Sequence, residues 1–313
     1  MIHKALIGLL ICLPARILMA DTLVLPPADV DVVGQVQYTE ARQDDTLLDI
    51  ARRYDLGQNE ILLANPDIDR WLPEPGSIVV LPNRFIIPAA QRTGLILNLP
   101  EMRLYYFPKT KPGRFPVMIT HPVSVGRMDW VTPLGKTTIA SKQKDPSWRP
   151  PKSIKEEAAR EGRPLPDIIP AGPDNPLGRY ALRLGIPGYL IHSTNKPYGV
   201  GMRVSHGCVR MYPEDIESMF NDIPVSTPVQ IVNQPIKLGW LADTLFIELH
   251  PPLDEDLDQY NDYLQQVLDA IAEFIADRET TLDGESTRRF TLNGKAIRHA
   301  VEEKNGIPVA ISR

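Results

Sequence analysis

Cysteine is almost missing from this 313-residue chain, which has two, Cys12 and Cys208. Two thiols exclude the multi-bridge framework that staples small exported folds, so the fold must rest on its packing. An excess of basic charge is missing as well. Lys and Arg number 34 against 39 Asp and Glu, a formal net charge of −5, which leaves no broad surface for neutralising nucleic-acid phosphates. No apolar run reaches the ~20 residues of a membrane span, and no His-Glu-x-x-His stretch offers a metallopeptidase helix. The chain is rich in proline, with 31 residues, about double the usual ~5%, which predicts many turns and ordered loops rather than helical bundles.

Residues 1–20 have the pattern of a cleavable secretory leader. A short start bearing Lys4 is followed by an apolar stretch from Ala5 to Ala15, broken by Gly8 and Pro14, and then by Leu18-Met19-Ala20 before Asp21. Cys12 follows Ile11 rather than a small residue, unlike a lipidated cysteine. Cleavage after Ala20 removes Lys4 and Arg16, leaving 32 basic against 39 acidic residues and Cys208 as the single thiol. In an oxidising exported compartment such a thiol is either a buried hydrophobe or a nucleophile.

Residues 21–37 read as a linker, and three segments follow. Over residues 38–82, Asp45 or Thr46 can cap a first helix, Asn65-Pro66 stops a second, and Pro75-Gly76 precedes the apolar strand Ile78–Leu81, so the order is strand, helix, helix, strand. This segment resembles a LysM module, with Asp44 where that family usually has Gly. The resemblance implies binding of N-acetylglucosamine-containing glycan strands along Asp45, Thr46 and the loop near Asn65.

Residues 93–233 are strand-rich. Leu95–Leu99, Arg103–Phe107 and Phe115–Thr120 are β-forming runs between Pro, Gly and Lys turns, which predicts a mainly β sandwich or barrel-like sheet. A long Pro- and charge-rich stretch, about 141–175, contains Trp148 and one short helix near Ile154–Glu161, and reads as an ordered lid. Residues 234–313 form a C-terminal extension. In it Leu257, Tyr260, Leu264, Leu268, Ile271 and Ile275 predict one apolar stripe on an acidic amphipathic helix.

The chemistry is concentrated between His192 and Cys208. Tyr189–Ser193 reads as a strand delivering a histidine to its end, and Val204–Met211 as a tight turn bearing the thiol. A thiol near its reference pKa of about 8.5 is mostly protonated at neutral pH, so attack on an amide needs a neighbouring base or cation. His192 and His206 are available for this. Gly207, without a Cβ, permits a sharp turn that presents the Gly207 and Cys208 amides to a developing oxyanion.

Ser205-His206-Gly207-Cys208-Val209-Arg210, with the strand-borne His192 upstream, resembles the signature of L,D-transpeptidases with a YkuD-type catalytic domain. Thr132-Pro133-Leu134-Gly135, Asn175-Pro176-Leu177-Gly178 and Gly199–Ser205 belong to the same resemblance. It implies a mostly β sandwich with the cysteine at the foot of a lidded cleft. Cys208 would be the nucleophile and His192 the base, with the Ser193 carbonyl orienting the imidazole and His206 and Gly207 shaping the turn. Arg210, Ser205, Met202, Arg203 and Trp148 would meet the substrate.

The implied substrates are peptidoglycan stem tetrapeptides. The implied acceptor is a diaminopimelate amine of a second stem, giving 3→3 cross-links, or the terminal lysine of an outer-membrane lipoprotein. The implied location is the periplasm, and no cofactor or metal is called for. Three other readings stay open: a carboxypeptidase with water as acceptor, a non-catalytic wall-binding protein, and a zinc site built from His192, His206 and Cys208. His121 and His250 are expected at the surface or in packing.

Overall fold

The computed structural model describes residues 21–281 and 291–313, so the leader read over residues 1–20 lies outside the described residues. Strands β1 (Asp21–Val24), β2 (Val32–Gly34) and β3 (Gln37–Glu40) precede helices α1 (Leu47–Arg53) and α2 (Gln58–Ala64), and β4 (Ile78–Leu81) and β5 (Arg84–Ile86) come next. β3 and β4 pair antiparallel with Tyr38 opposite Val80, and the helices close over them around Leu47, Ile50, Leu56, Ile61 and Val79. Thr46 starts α1 by accepting from the Asp49 amide, while the Asp49 carboxylate accepts from the Thr46 amide. This reciprocal cap satisfies two orphan donors of the first turn.

The stretch expected as a linker is partly strand. β2 pairs with β5, and its Val32 and Val33 are buried, because two adjacent apolar residues gain more by joining neighbouring sheets than by staying in water.

The next elements are β6 (Gly94–Asn98), β7 (Arg103–Phe107), β8 (Val117–Gly126), β9 (Gly135–Lys144), α3 (Lys152–Arg160), β10 (Tyr180–Leu184), β11 (Leu190–His192), β12 (Arg203–Ser205), β13 (Val209–Met211), α4 (Pro213–Phe220) and β14 (Pro228–Val232). Pairing runs β8-β13-β11-β10-β9-β14-β6-β7, and β7 pairs back onto β8. The strands that a sandwich would divide into two sheets therefore join in one closed ring. Closure comes from the ten-residue strands β8 and β9, each of which pairs with different partners along its two halves: β8 with β7 and then β13, β9 with β14 and then β10. A closed ring leaves no open edge. β1 lies outside it, against the first residues of β8.

Every residue of β6 and β7 is buried. Leu95, Leu97 and Leu104 face the ring's core, while Ile96 and Tyr105 face a second cluster with Phe85 and Val33. This is why the two strands read as continuous apolar runs rather than as an alternation.

The C-terminal extension is mixed rather than helical. β15 (Ile236–Leu241) and β16 (Thr244–Leu249) form a hairpin, β17 (Val309–Ala310) adds a third strand, and α5 (Tyr263–Thr281) and α6 (Gly294–Glu303) pack on it. The hairpin turn needs Ala242 at φ +52°, an uncommon conformation for alanine, which hides the turn in the sequence. The predicted stripe is displaced too. Val267 and Ile271 are buried and Leu264, Phe274 and Ile275 partly so, but Leu268 is 41% exposed and Leu257 53% exposed. Leu257 lies in the 3-10 segment Asp254–Tyr260 ahead of α5, so the helical period does not run through it.

Candidate active site

Strand alternation places the first two candidate side chains. β11 and β13 run parallel with Ile191 beside Val209 and His192 beside Arg210. Ile191 and Val209 are each 1% exposed in the ring core. Because side chains alternate faces along a strand, His192 and Arg210 point to the opposite side. Cys208 immediately precedes β13 at the end of the turn that begins with β12.

The turn has a firm scaffold. Gly207 has φ +92°, and a Cβ there would sit 2.8 Å from Tyr189 Cε1, so both backbone conformation and space favour glycine. Thr132 Oγ1 donates to the Gly207 carbonyl at 2.9 Å and accepts from the Gly126 amide at 3.0 Å. Ser205 Oγ donates to the Cys208 carbonyl at 2.5 Å, and the Arg127 amide donates to the Ser205 carbonyl at 3.1 Å.

His192 is 3% exposed, and its Nδ1 donates to the Ser193 carbonyl at 2.5 Å. This leaves Nε2 as the acceptor nitrogen. Burial, with the Arg210 charge adding to it, lowers the imidazole to about 4. Burial pushes the Cys208 thiol up, opposed by the Leu190 backbone and by the charges of Arg210 and Arg183. The resting pair is therefore neutral thiol and neutral imidazole. The thiol points its proton at the Gly188 carbonyl, 3.7 Å away, so attack requires it to turn. Arg210 is itself lowered by burial, and its Nε is buried without a hydrogen-bond partner.

Of the predicted residues, Cys208, His192, Ser193, His206, Gly207, Ser205 and Arg210 come together in this region. His206 Nε2 bonds Glu157 of α3 at 2.7 Å, and its ring meets Trp130 edge-on with centroids 5.0 Å apart. The other three expected substrate contacts have their own surroundings. Arg203 is held by the Gly126 carbonyl and by Asp254 and Glu255. Met202 lines a cavity of about 310 Å³ with Glu60, Arg203 and His250. Trp148 exchanges backbone hydrogen bonds with Ile169 inside the lid.

The expected glycan contacts are also occupied internally. Asp45 accepts from the Arg42 amide and pairs with Arg53, Thr46 caps α1, and Asn65 is 5% exposed and ties the Ile61 carbonyl to both backbone groups of Val80. Short polar side chains beside a helix end satisfy local backbone first, and a motif spacing does not register this.

Neither His121 nor His250 is at the surface. His121 is fully buried between Asp55, at 3.0 Å, and Asp215, at 3.5 Å. Asp55 lies in the turn between α1 and α2, and Asp215 on α4. His250 bonds Glu248 at 2.7 Å, next to Lys237, which pairs with both Glu101 and Glu248. These two groups, Asp55-His121-Asp215 and Glu101-Glu248-His250, bring potential metal ligands within 4.8 Å of one another. Each already contains an internal cation, His121 in one and Lys237 in the other. The proposed zinc set does not converge: His192, His206 and Cys208 turn to Ser193, Glu157 and Gly188.

Sequence reasoning missed Glu157, Trp130, Arg127 and Tyr189. Glu157 is one of several carboxylates in a charged lid, and nothing in the sequence distinguishes it from Glu156.

A family profile for the L,D-transpeptidase catalytic domain (YkuD) matches residues 92–231. Over its length the chain is similar to a probable L,D-transpeptidase, YcfS, of Escherichia coli (strain K12), with 34% identity covering 97% of this chain and 91% of the relative. It is also similar to a probable L,D-transpeptidase, ErfK/SrfK, of Salmonella typhimurium, with 36% identity covering 94% and 92%. A third relative, the probable L,D-transpeptidase YbiS of E. coli (strain K12), is 39% identical over 77% of this chain and 78% of its own length.

Proposed function

This chain belongs to the L,D-transpeptidase family with a YkuD catalytic domain, and from that premise we propose that it is an exported periplasmic enzyme acting on peptidoglycan stem tetrapeptides through a Cys208 thioester. The observation that carries the reading is the juxtaposition of the Gly207-Cys208 turn with His192 and Arg210 on adjacent strands. Cys208 Sγ attacks the carbonyl between diaminopimelate and the terminal D-alanine while His192 Nε2 takes the thiol proton. The amides of Gly207 and Cys208 face the oxyanion. Collapse breaks the amide bond, His192 returns the proton to the departing D-alanine amine, and a thioester remains. An acceptor amine then attacks the thioester, gives its proton to His192, and restores the thiol.

The neutral resting pair suits this cycle. An imidazole near 4 is unprotonated at neutral pH and free to accept, and the thiol carries a proton to give. The Ser193 carbonyl holds the ring in the Nδ1–H tautomer. Arg210 receives a stem carboxylate. The βααβ unit over residues 38–82 acts as a LysM glycan-binding module, holding sugar by exposed loop residues and backbone rather than by Asp45, Thr46 and Asn65. The acceptor is the terminal lysine of an outer-membrane lipoprotein or the diaminopimelate amine of a second stem.

The test gives the enzyme a tetrapeptide muropeptide with competing acceptors: a second stem, a lipoprotein C-terminal peptide, glycine and water. Products are identified by mass spectrometry. D-alanine release with an acyl adduct on Cys208 is expected, and both vanish in Cys208→Ala. Unchanged substrate, or turnover by Cys208→Ala, refutes the proposal, and release into water alone makes the protein a carboxypeptidase.

A further inference from the structure

The lid helix α3 is held onto the nucleophile's turn by very little. Its sequence, Lys152-Ser153-Ile154-Lys155-Glu156-Glu157-Ala158-Ala159-Arg160, buries one residue, Ala158. A helix with so little buried apolar area gains almost nothing from packing, so it belongs to the low-stability end of the fold unless polar contacts retain it. The lid's neck is pinned separately. The Asn175 side chain donates to the carbonyls of Pro146 and Pro170, and the Asp145 amide donates to the Arg179 carbonyl. Those contacts fix where the lid leaves the ring, not where α3 sits.

One side chain spans the remaining gap. The Glu157 carboxylate, 20% exposed, pairs with the Arg127 guanidinium through Oε1 and accepts from His206 Nε2 at 2.7 Å through Oε2. Both partners belong to the wall of the nucleophile's turn. Arg127 also donates its amide to Ser205, and His206 is two residues before Cys208 with its ring against Trp130. Hydrogen bonds from Arg127 and, less strongly, His206 hold the Glu157 carboxyl below its usual range. A carboxylate with one cationic or N–H partner on each oxygen is a strong two-point contact, because charge-assisted hydrogen bonds are about twice as strong as neutral ones.

We propose that Glu157 is the latch of the lid: a positioning residue that fastens α3 to His206 and Arg127, and thereby couples lid closure to the conformation of the turn carrying Cys208. The proposal builds on the peptidase-like acyl transfer described above. A stem peptide entering under α3 breaks both bonds. Their re-formation closes the cleft over the acyl-enzyme and returns the turn to the geometry in which the Gly207 and Cys208 amides converge.

The latch is tested with Glu157→Ala and Glu157→Gln in the full chain. Three readouts are compared with wild type: hydrogen exchange of the amides of residues 152–160, alkylation of Cys208 by iodoacetamide followed by peptide mapping, and kcat and KM for D-alanine release. In Glu157→Ala, exchange in α3 rises by about tenfold or more, as the loss of two charge-assisted bonds requires. Alkylation of Cys208 holds or quickens, because the thiol is intact and less covered, while kcat falls by about tenfold with the melting temperature unchanged. Glu157→Gln recovers part of the loss, since its amide oxygen can accept from one partner but its NH2 cannot accept from the other.

Wild-type exchange over residues 152–160 in Glu157→Ala overturns the latch. So does a parallel loss of alkylation, melting temperature and activity, which would mark Glu157 as structural only. Exchange and alkylation need no peptidoglycan, so a wild-type protein that releases no D-alanine refutes the proposed activity while these two readouts still decide the latch.

Discussion

The junction between the βααβ unit and the ring offers a quantitative test, because it is built on a buried ion pair. Arg103, on β7, is 1% exposed and Glu60, on α2, is 10% exposed; they meet at 2.6 Å and 2.9 Å through both carboxylate oxygens. Arg103 also donates to the Asp55 carbonyl and to Thr120, and lies 4.4 Å over the Phe85 ring. Burial alone would lower the guanidinium, but the charges of Glu60 and Asp55 outweigh it, and the net direction is up. Replacing Arg103 by Met keeps the volume and removes the charge, leaving Glu60 as an uncompensated buried anion and the Asp55 carbonyl without its donor. Breaking one side of a buried pair costs about 3–5 kcal/mol. Glu60→Gln added to Arg103→Met removes the orphan charge while keeping an oxygen for the Gly57 amide, which Glu60 Oε2 accepts at 2.5 Å. The double variant then loses only about 1–2 kcal/mol, the cost of the unfilled carbonyl and lost cation–π contact. Urea unfolding of wild type, both single variants and the double variant completes the cycle, and the double variant should be about 2–3 kcal/mol more stable than Arg103→Met. A loss below about 1 kcal/mol in Arg103→Met, or a double variant no more stable than Arg103→Met, refutes the view that this pair holds the two units together.

Two further predictions follow from the titrating groups. With the thiol pushed up and His192 near 4, alkylation of Cys208 without peptide should rise once, above the ordinary thiol range; a reactive plateau between about pH 5 and 8 would reveal a thiolate–imidazolium pair instead. At the unit junction, burial and the Asp55 charge raise Asp215 from 3.8 to about 7. The folded state therefore favours its protonated form, and this stability is complete below pH 3.8 and lost as pH rises through 7. Burial would lower His121, but Asp55 and Asp215 outweigh it and hold the imidazole at about 10, so His121 stays charged across that window. Melting temperatures from pH 4 to pH 8 should fall more in wild type than in Asp215→Asn, by an amount on the order of a few kcal/mol in stability. Parallel curves for the two proteins would remove Asp215 from the account.

The turn before Cys208 was legible because its signals are local. Ser205, His206, Gly207 and Cys208 are contiguous, and the requirement for glycine at φ +92° follows from the turn they make. The βααβ order was legible for the same reason, since caps and stops act within a few residues of chain. Reading failed where a side chain's partner is distant in sequence. Asp45, Thr46 and Asn65 fit a sugar-binding pattern, yet each is consumed by the backbone or an arginine of its own unit. Arg203 looked free to meet substrate until the chain returned Glu255 to it. The C-terminal hairpin was hidden by a turn that puts a non-glycine residue at positive φ.

By itself, the sequence determined the glycine turn ahead of Cys208 and the place of His192 at a strand end, together with the mainly β character of the central segment. These depend on residue type and short spacing, which no fold can alter. Tertiary structure alone decided the charge states and attachments. The neutral thiol–imidazole pair, the buried Asp55-His121-Asp215 group and the Glu157 bridge all depend on how much water is excluded and which charges are brought within about 4 Å. Both quantities come from segments that the chain keeps dozens to more than a hundred residues apart.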